Sequence, residues 1–293
     1  MHDIYKPMFS IDPGVTFLNH GSFGACPKII FDSLINFQRR LENEPVKFLA
    51  NDIYQLLRES RSALSEYINC AIDDIAFFPN PSTALNTLIR SLDLKKGDQV
   101  LTTNHEYGAL DRTWNFISKK RGCKYIKLNV EIPFVDKQTI IDSFKQGINK
   151  NTKVIFLSHI TSATALIFPV KEIIDLAREN NILTIIDGAH VPAHIDLDIR
   201  ELDPDVYCGA CHKWMCSPKG VAFLYVSKKF QHKIEPLVVS WGYESDNPGH
   251  SQFLDYLQWQ GTYDMSAYLT IPDTIDFLNK HNWDNITKQC HEL

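Results

Sequence analysis

The chain has 293 residues, 44% of them hydrophobic and 22% charged, with a formal net charge of -5. That length buries one large core with room for a small satellite, and the composition is that of an ordinary globular protein. The negative balance excludes a general attraction to nucleic acid or acidic lipid, and no apolar run approaches a membrane span, so neither partner is expected.

Seven cysteines, an odd number, are scattered along the chain. The start, Met1-His-Asp-Ile-Tyr-Lys-Pro7, has no apolar signal segment. Reduced thiols in a cytoplasmic protein are the simplest expectation.

In chain order, Val15-Thr-Phe-Leu18 reads as a short strand that delivers the loop Asn19-His-Gly-Ser-Phe-Gly-Ala-Cys-Pro27. Two glycines in that loop permit close backbone approach, although a plain turn before a helix is the simpler reading. Ile30, Leu34, Phe37 and Leu41, and then Ile53, Leu57, Leu64 and Tyr67, recur at helical spacing and predict two amphipathic helices. Ile75–Phe78 is a short apolar strand, followed by Asn80-Pro81-Ser82-Thr83 opening a helix. Asn is a favoured N-cap and Pro a favoured first residue, so the start is well specified. Ser82 and Thr83 then sit at the positive end of a helix dipole, where an anion gains roughly 0.3 to 1 kcal/mol.

Gln99–Thr103 is the next strand, with Asn104-His105-Glu106-Tyr107 at its carboxyl end. Tyr107 shares a helical face with Leu110, Trp114 and Ile117, which makes it partly a core residue; its ring could also stack on a planar ligand. Lys124–Val130 alternates as a strand, and Asp136 caps a helix carrying Ile140, Ile141, Phe144 and Ile148. Thr152–Ser158 is a buried strand ending in His159-Ile160-Thr161-Ser162, with His159 read as a structural histidine.

Asn181–Ile186 is a short β-branched run of the kind buried on both faces of a parallel sheet, and it ends in Asp187-Gly188-Ala189-His190. Ligands of open α/β sheets bind outside the carboxyl ends of strands, so Asp187 stands where a site would be. A carboxylate there could pair with a protonated pyridine nitrogen, or merely cap the next turn. The strand Asp205–Cys211 leads to Lys213, and Gly220–Val226 is a final strand. A buried lysine amine is a nucleophile toward aldehydes, most often that of pyridoxal phosphate. Cys208-Gly-Ala-Cys211-His212 also fits the c-type haem attachment pattern, which belongs to exported proteins. Zinc would need a second ligand pair after Cys208, Cys211, His212 and Cys216, and none follows, so no metal is expected. The alternation of strands and helices predicts an α/β fold with a mainly parallel sheet covered by helices on both faces.

Asp187-Gly-Ala-His190, followed by Cys211-His-Lys-Trp-x-Cys216-x-Pro-Lys-Gly220, resembles the class V aminotransferase family of pyridoxal-phosphate enzymes. The branch it is most similar to is that of the isopenicillin N epimerase-like proteins, related to cysteine desulfurases and C-S lyases. The resemblance implies fold type I, a seven-stranded sheet, and pyridoxal 5'-phosphate held as an imine on Lys213. It implies Asp187 at the pyridine nitrogen, His190 at the ring hydroxyl, His212 at the phosphate, and Ser82 and Thr83 cradling that phosphate. Tyr107, rather than His105, aligns with the family's ring-stacking histidine, and Ser162 with a cofactor-contacting asparagine. The Asn-His-Gly-Ser segment makes His20 a substrate contact. Thr262 matches a threonine that reaches the neighbouring subunit's phosphate, which implies a homodimer with composite sites.

The implied chemistry is removal of an amino acid's α-proton by Lys213, leading to epimerisation or to C-S cleavage by β-elimination. Three departures stand out: Ala165-Leu166 where relatives have glycine, Tyr263 where they have arginine, and a chain that stops where a small domain normally continues. They leave open a non-catalytic cofactor-binding remnant, or a subunit completed by a second polypeptide. The expected organisation is an N-terminal arm and active-site loop over 1–27, a cofactor-binding large domain over 28–260, and the start of a largely absent C-terminal small domain over 261–293.

Overall fold

The computed structural model describes residues 4–133 and 136–292. Seven strands form one sheet: β1 (Ile75–Phe78), β2 (Gln99–Thr103), β3 (Lys124–Leu128), β4 (Thr152–Ser158), β5 (Leu183–Gly188), β6 (Val206–Ala210) and β7 (Ala222–Val226). Their order across the sheet is β1-β7-β6-β5-β4-β2-β3. The pairs β2–β3, β2–β4, β4–β5 and β5–β6 are parallel, whereas β7 runs against both its neighbours. Reversing β7 leaves β1 pointing the same way as β6, so the carboxyl ends of six strands share one edge.

The sheet separates two cores, as a strand's period of two requires. Along β4, Ile155 and Leu157 enter one cluster and Val154 and Phe156 the other. The same alternation divides Cys208 from Cys211, whose side chains pack in different clusters. The haem-like spacing therefore brings no pair of thiols together.

Helices cover both faces because each carries an apolar stripe at helical spacing. Among them, Lys28–Asn43, Ile53–Tyr67 and Val170–Glu179 pack on one core, and Pro81–Ser91 and Gly108–Arg121 on the other. Pro81–Ser91 starts as its sequence requires: Asn80 Oδ1 accepts the Thr83 N–H at 2.8 Å. Pro272 sits in the first turn of Ile271–Lys280, so the apolar run after Ser266 divides into two helices there. Met265, Tyr268, Leu269, Ile271, Phe277 and Leu278 join the same core as Ile53, Leu57 and Leu64.

One predicted strand is absent. Val15-Thr-Phe-Leu18 has no strand partner, and Val15 and Leu18 are 48% and 85% exposed. It pairs with neither edge strand of the sheet, β1 or β3, and a short strand does not persist alone.

Candidate active site

The shared strand edge holds a cleft of about 750 Å³, lined from six parts of the chain: the 19–23 turn, the start of Pro81–Ser91, Tyr107, the loop after β4, the end of β5, and the lysine turn. Asp187 ends its buried run as the floor of this cleft and is 4% exposed. Its Oδ1 accepts the Ala189 N–H at 3.0 Å. Burial raises its pKa, against the opposing pull of that N–H and of the Lys213 cation.

Lys213 lies on the turn between β6 and β7. The turn is set by Cys211 N–H donating to Val221 O at 3.0 Å, Ser217 N–H to Cys211 O at 3.1 Å, and Cys216 N–H to Lys213 O at 3.2 Å. Cys216 is buried with a φ of +64°, a left-handed conformation held by its surroundings. Lys213 Nζ is 3.1 Å from His190 Nε2. Burial lowers the lysine's pKa, and nearby Asp187 and Cys208 oppose that.

His190 is pushed down to about 4, first by burial and then by the Lys213 cation, so the imidazole is neutral at pH 7. Its Nδ1 accepts from Trp214 Nε1 at 3.4 Å. The remaining proton therefore sits on Nε2, which faces Lys213 Nζ. An amine attacks an aldehyde in its neutral form, and the lowering of the lysine's pKa by burial favours that form.

His212 lines the cleft with Nδ1 directed to Val221 O at 2.9 Å, which leaves Nε2 as its available nitrogen. Ser82 also lines the cleft, but Thr83 does not, because both its N–H and its hydroxyl (3.1 Å) are taken by Asn80 Oδ1. Tyr107, just before the Gly108–Arg121 helix, is 46% exposed at the mouth rather than part of the core. His105 is turned inside, with Nε2 2.8 Å from Val130 O and Nδ1 3.2 Å from Thr164 Oγ1. Ser162 and Ala165 form another wall, and Ala165 adopts a left-handed φ of +54°.

His20 is not in the cleft. Asn19 caps a helical turn over His20–Phe23, which sends Asn19, Gly21, Ser22 and Phe23 toward the cleft and His20 behind it. There His20 packs edge-on against Phe17 at 5.0 Å, stacks on Trp214 at 6.1 Å, and accepts the Ala25 N–H at 3.4 Å. It lines an adjoining cavity of about 650 Å³ that shares His194 and Trp214 with the cleft. Thr262 lies in another cleft, of about 1140 Å³, beside Trp241 and Trp259. Two neighbours of the site carried no expected role: Trp214, which fixes the His190 tautomer, and Glu106, which is buried beside Asp187.

A lysine amine and a buried carboxylate facing one cleft at the carboxyl edge of a mainly parallel sheet define a fold-type I pyridoxal-phosphate site. The profile of the family Aminotransferase class-V matches residues 25–293. Isopenicillin N epimerase of Amycolatopsis lactamdurans is 32% identical over 98% of this chain and 75% of its own length. A probable chloroplastic L-cysteine desulfhydrase of Arabidopsis thaliana is 28% identical over 96% of this chain and 62% of its own. The structure of a C-DES variant with glycine covalently linked to the PLP cofactor superposes with a TM-score of 0.84, at 23% identity, over 94% of this chain and 74% of that one. The chain belongs to the class V aminotransferase family, whose cofactor is pyridoxal 5'-phosphate.

The residues present fit that cofactor. Asp187 presents a buried carboxylate to a cleft, which calls for a cationic N–H such as a pyridinium. Lys213 would hold the aldehyde carbon, and Ser82 and His212, which both line the cleft, would hold the phosphate.

Proposed function

We propose that this protein is a pyridoxal-phosphate-dependent enzyme that moves the α-proton of an amino acid, leading to epimerisation or to β-elimination with C-S cleavage. When bound, the cofactor supplies an electron sink for negative charge at the α-carbon. Lys213 Nζ is the base that takes the proton and, for epimerisation, the acid that returns one. Asp187 holds the ring nitrogen in its protonated form, and His190, neutral and oriented by Trp214, donates toward Lys213 from Nε2. Asn19, Ser22 and Phe23 border the space left for substrate.

The reading rests on one observation: Lys213 Nζ 3.1 Å from His190 Nε2 in a cleft floored by Asp187. Incubation with pyridoxal phosphate should give visible absorbance that a subset of amino acids perturbs. Loss of the α-proton signal in deuterated water without sulfide marks epimerisation, whereas sulfide and pyruvate mark C-S lysis. Lys213→Ala should abolish the visible band, and an unchanged spectrum in that variant would refute the assignment.

A homodimer is part of the proposal, supported by the exposed Leu18, Phe23 and Trp241 (85%, 73% and 85%), of which Phe23 borders the cleft. In that assembly Thr262 serves the neighbouring site. A cytoplasmic location is supported by seven cysteines that are all free.

A further inference from the structure

Glu106 lies just past the end of β2 and is 8% exposed, yet it is not a lining residue of the cleft. Its Oε1 accepts from the Thr103 hydroxyl at 2.6 Å. Its Oε2 accepts both the N–H of Ser158, at 2.9 Å, and the Ser158 hydroxyl, at 2.6 Å. Ser158 is the last residue of β4, lines the cleft, and is the register partner of Asp187 on β5. The residue after Glu106 is Tyr107, at the cleft mouth. One buried carboxylate thus joins the loop that carries the mouth to the strand beside the floor.

We propose that Glu106 is a positioning residue for the cofactor: by tying the loop after β2 to the end of β4, it sets the gap between Tyr107 and Asp187 in which the pyridine ring lies. Three hydrogen bonds meet on this one buried group. Without them the two hydroxyls and the Ser158 N–H lose a buried acceptor, and the loop carrying Tyr107 loses its tie to the end of β4 while keeping the Asn104 and His105 contacts to Val130 and Thr164. A glutamine can keep the arrangement. Its oxygen accepts both Ser158 donors, and its amide donates to Thr103 Oγ1, since a hydroxyl can accept as well as donate. Alanine cannot. The inference rests on the cofactor reading above, and its test separates the two.

The full-length protein, wild type and the variants Glu106→Ala, Glu106→Gln and Thr103→Val, would be titrated with pyridoxal phosphate. The readouts are the dissociation constant and the visible circular dichroism of the bound ring, which reports its tilt. Glu106→Ala should bind roughly tenfold more weakly with altered dichroism, Glu106→Gln should stay within about twofold of wild type with its dichroism intact, and Thr103→Val should fall between. If Glu106→Ala does not fold, by far-ultraviolet dichroism, the contrast between Thr103→Val and Glu106→Gln decides. A Glu106→Ala protein with wild-type affinity and dichroism overturns the inference, as does a Glu106→Gln protein as impaired as the alanine variant. Wild-type protein that takes up no cofactor overturns the cofactor reading and this inference together; wild-type uptake with an indifferent Glu106→Ala overturns this inference alone.

Discussion

Gly24 is where the N-terminal loop presses on the lysine turn, and Gly24→Ala tests that contact. Its φ of +69° and ψ of +167° lie in a region closed to residues with a Cβ, a conformational cost of about 1–3 kcal/mol. An added Cβ would also overlap the His212 carbonyl oxygen and come within 2.7 Å of the Lys213 carbonyl oxygen. Both are backbone atoms, so no side chain can swing aside. Gly97 provides a control: its φ is +94°, but a Cβ there meets nothing within 4 Å, so Gly97→Ala carries the conformational cost alone. Gly24→Ala should therefore cost about 3 kcal/mol or more, lowering the melting temperature by roughly 6–10 °C. The alternative escape is local release of residues 19–27, which moves Asn19 and Ser22 away from the cleft. Thermal melts together with amide hydrogen exchange capture either response. A Gly24→Ala protein matching Gly97→Ala in both melting temperature and exchange over 19–27 would show that the loop does not rest on the lysine turn.

Other outcomes follow from the same geometry. Ala165 occupies a left-handed conformation at φ +54°, so Ala165→Gly should stabilise the protein by about 0.5–1 kcal/mol, read as a higher urea midpoint at unchanged slope. Asp187→Asn removes the negative charge that holds the Lys213 pKa up, so the pH midpoint for cofactor capture should move down; an upward or absent shift contradicts the charge coupling. α-Proton exchange should fall more than cofactor capture does. His159 is pushed down to about 4 by burial, below its ordinary 6.5. The unfolded chain thus binds the extra proton first, and the stability His159 contributes is intact above about pH 6.5 and lost as pH falls toward 4. His159→Gln should flatten that part of the stability profile in chemical denaturation, and an identical slope would remove His159 from the account.

The elements most legible in the sequence are those whose determinants are local. Ile75–Phe78, Gln99–Thr103 and Thr152–Ser158 are strands with the bounds their apolar runs suggest, and Asn80 and Asp136 cap their helices through their own side chains. Asp187 and Lys213 were readable because each follows a buried strand, and strand ends of a parallel sheet converge on one edge. The placement of His20 outside the cleft was not legible for a local reason: the segment before it reads as a strand, whereas His20 belongs to a helical turn that sets which residues face the cleft. Thr83 looked available because the helix start was legible but the second use of Asn80 Oδ1, as acceptor for the Thr83 hydroxyl, was not. Glu106 could not be found from pattern. A carboxylate between Asn-His and Tyr reads as a solvated loop residue, and its burial comes from Ser158, 52 positions away.

The pairing of β1 with β7 also orders events during synthesis. Among the described residues, Ile75-Ala-Phe-Phe78 finds its one strand neighbour in Ala222–Val226, the seventh of the sheet's strands to leave the ribosome. Until then a fully apolar segment stays uncovered, and the turn at Asn80–Ser82 has nothing to anchor it. A nascent chain that ends before β7 thus presents this segment as an unpaired apolar strand, the kind of surface that chaperones cover.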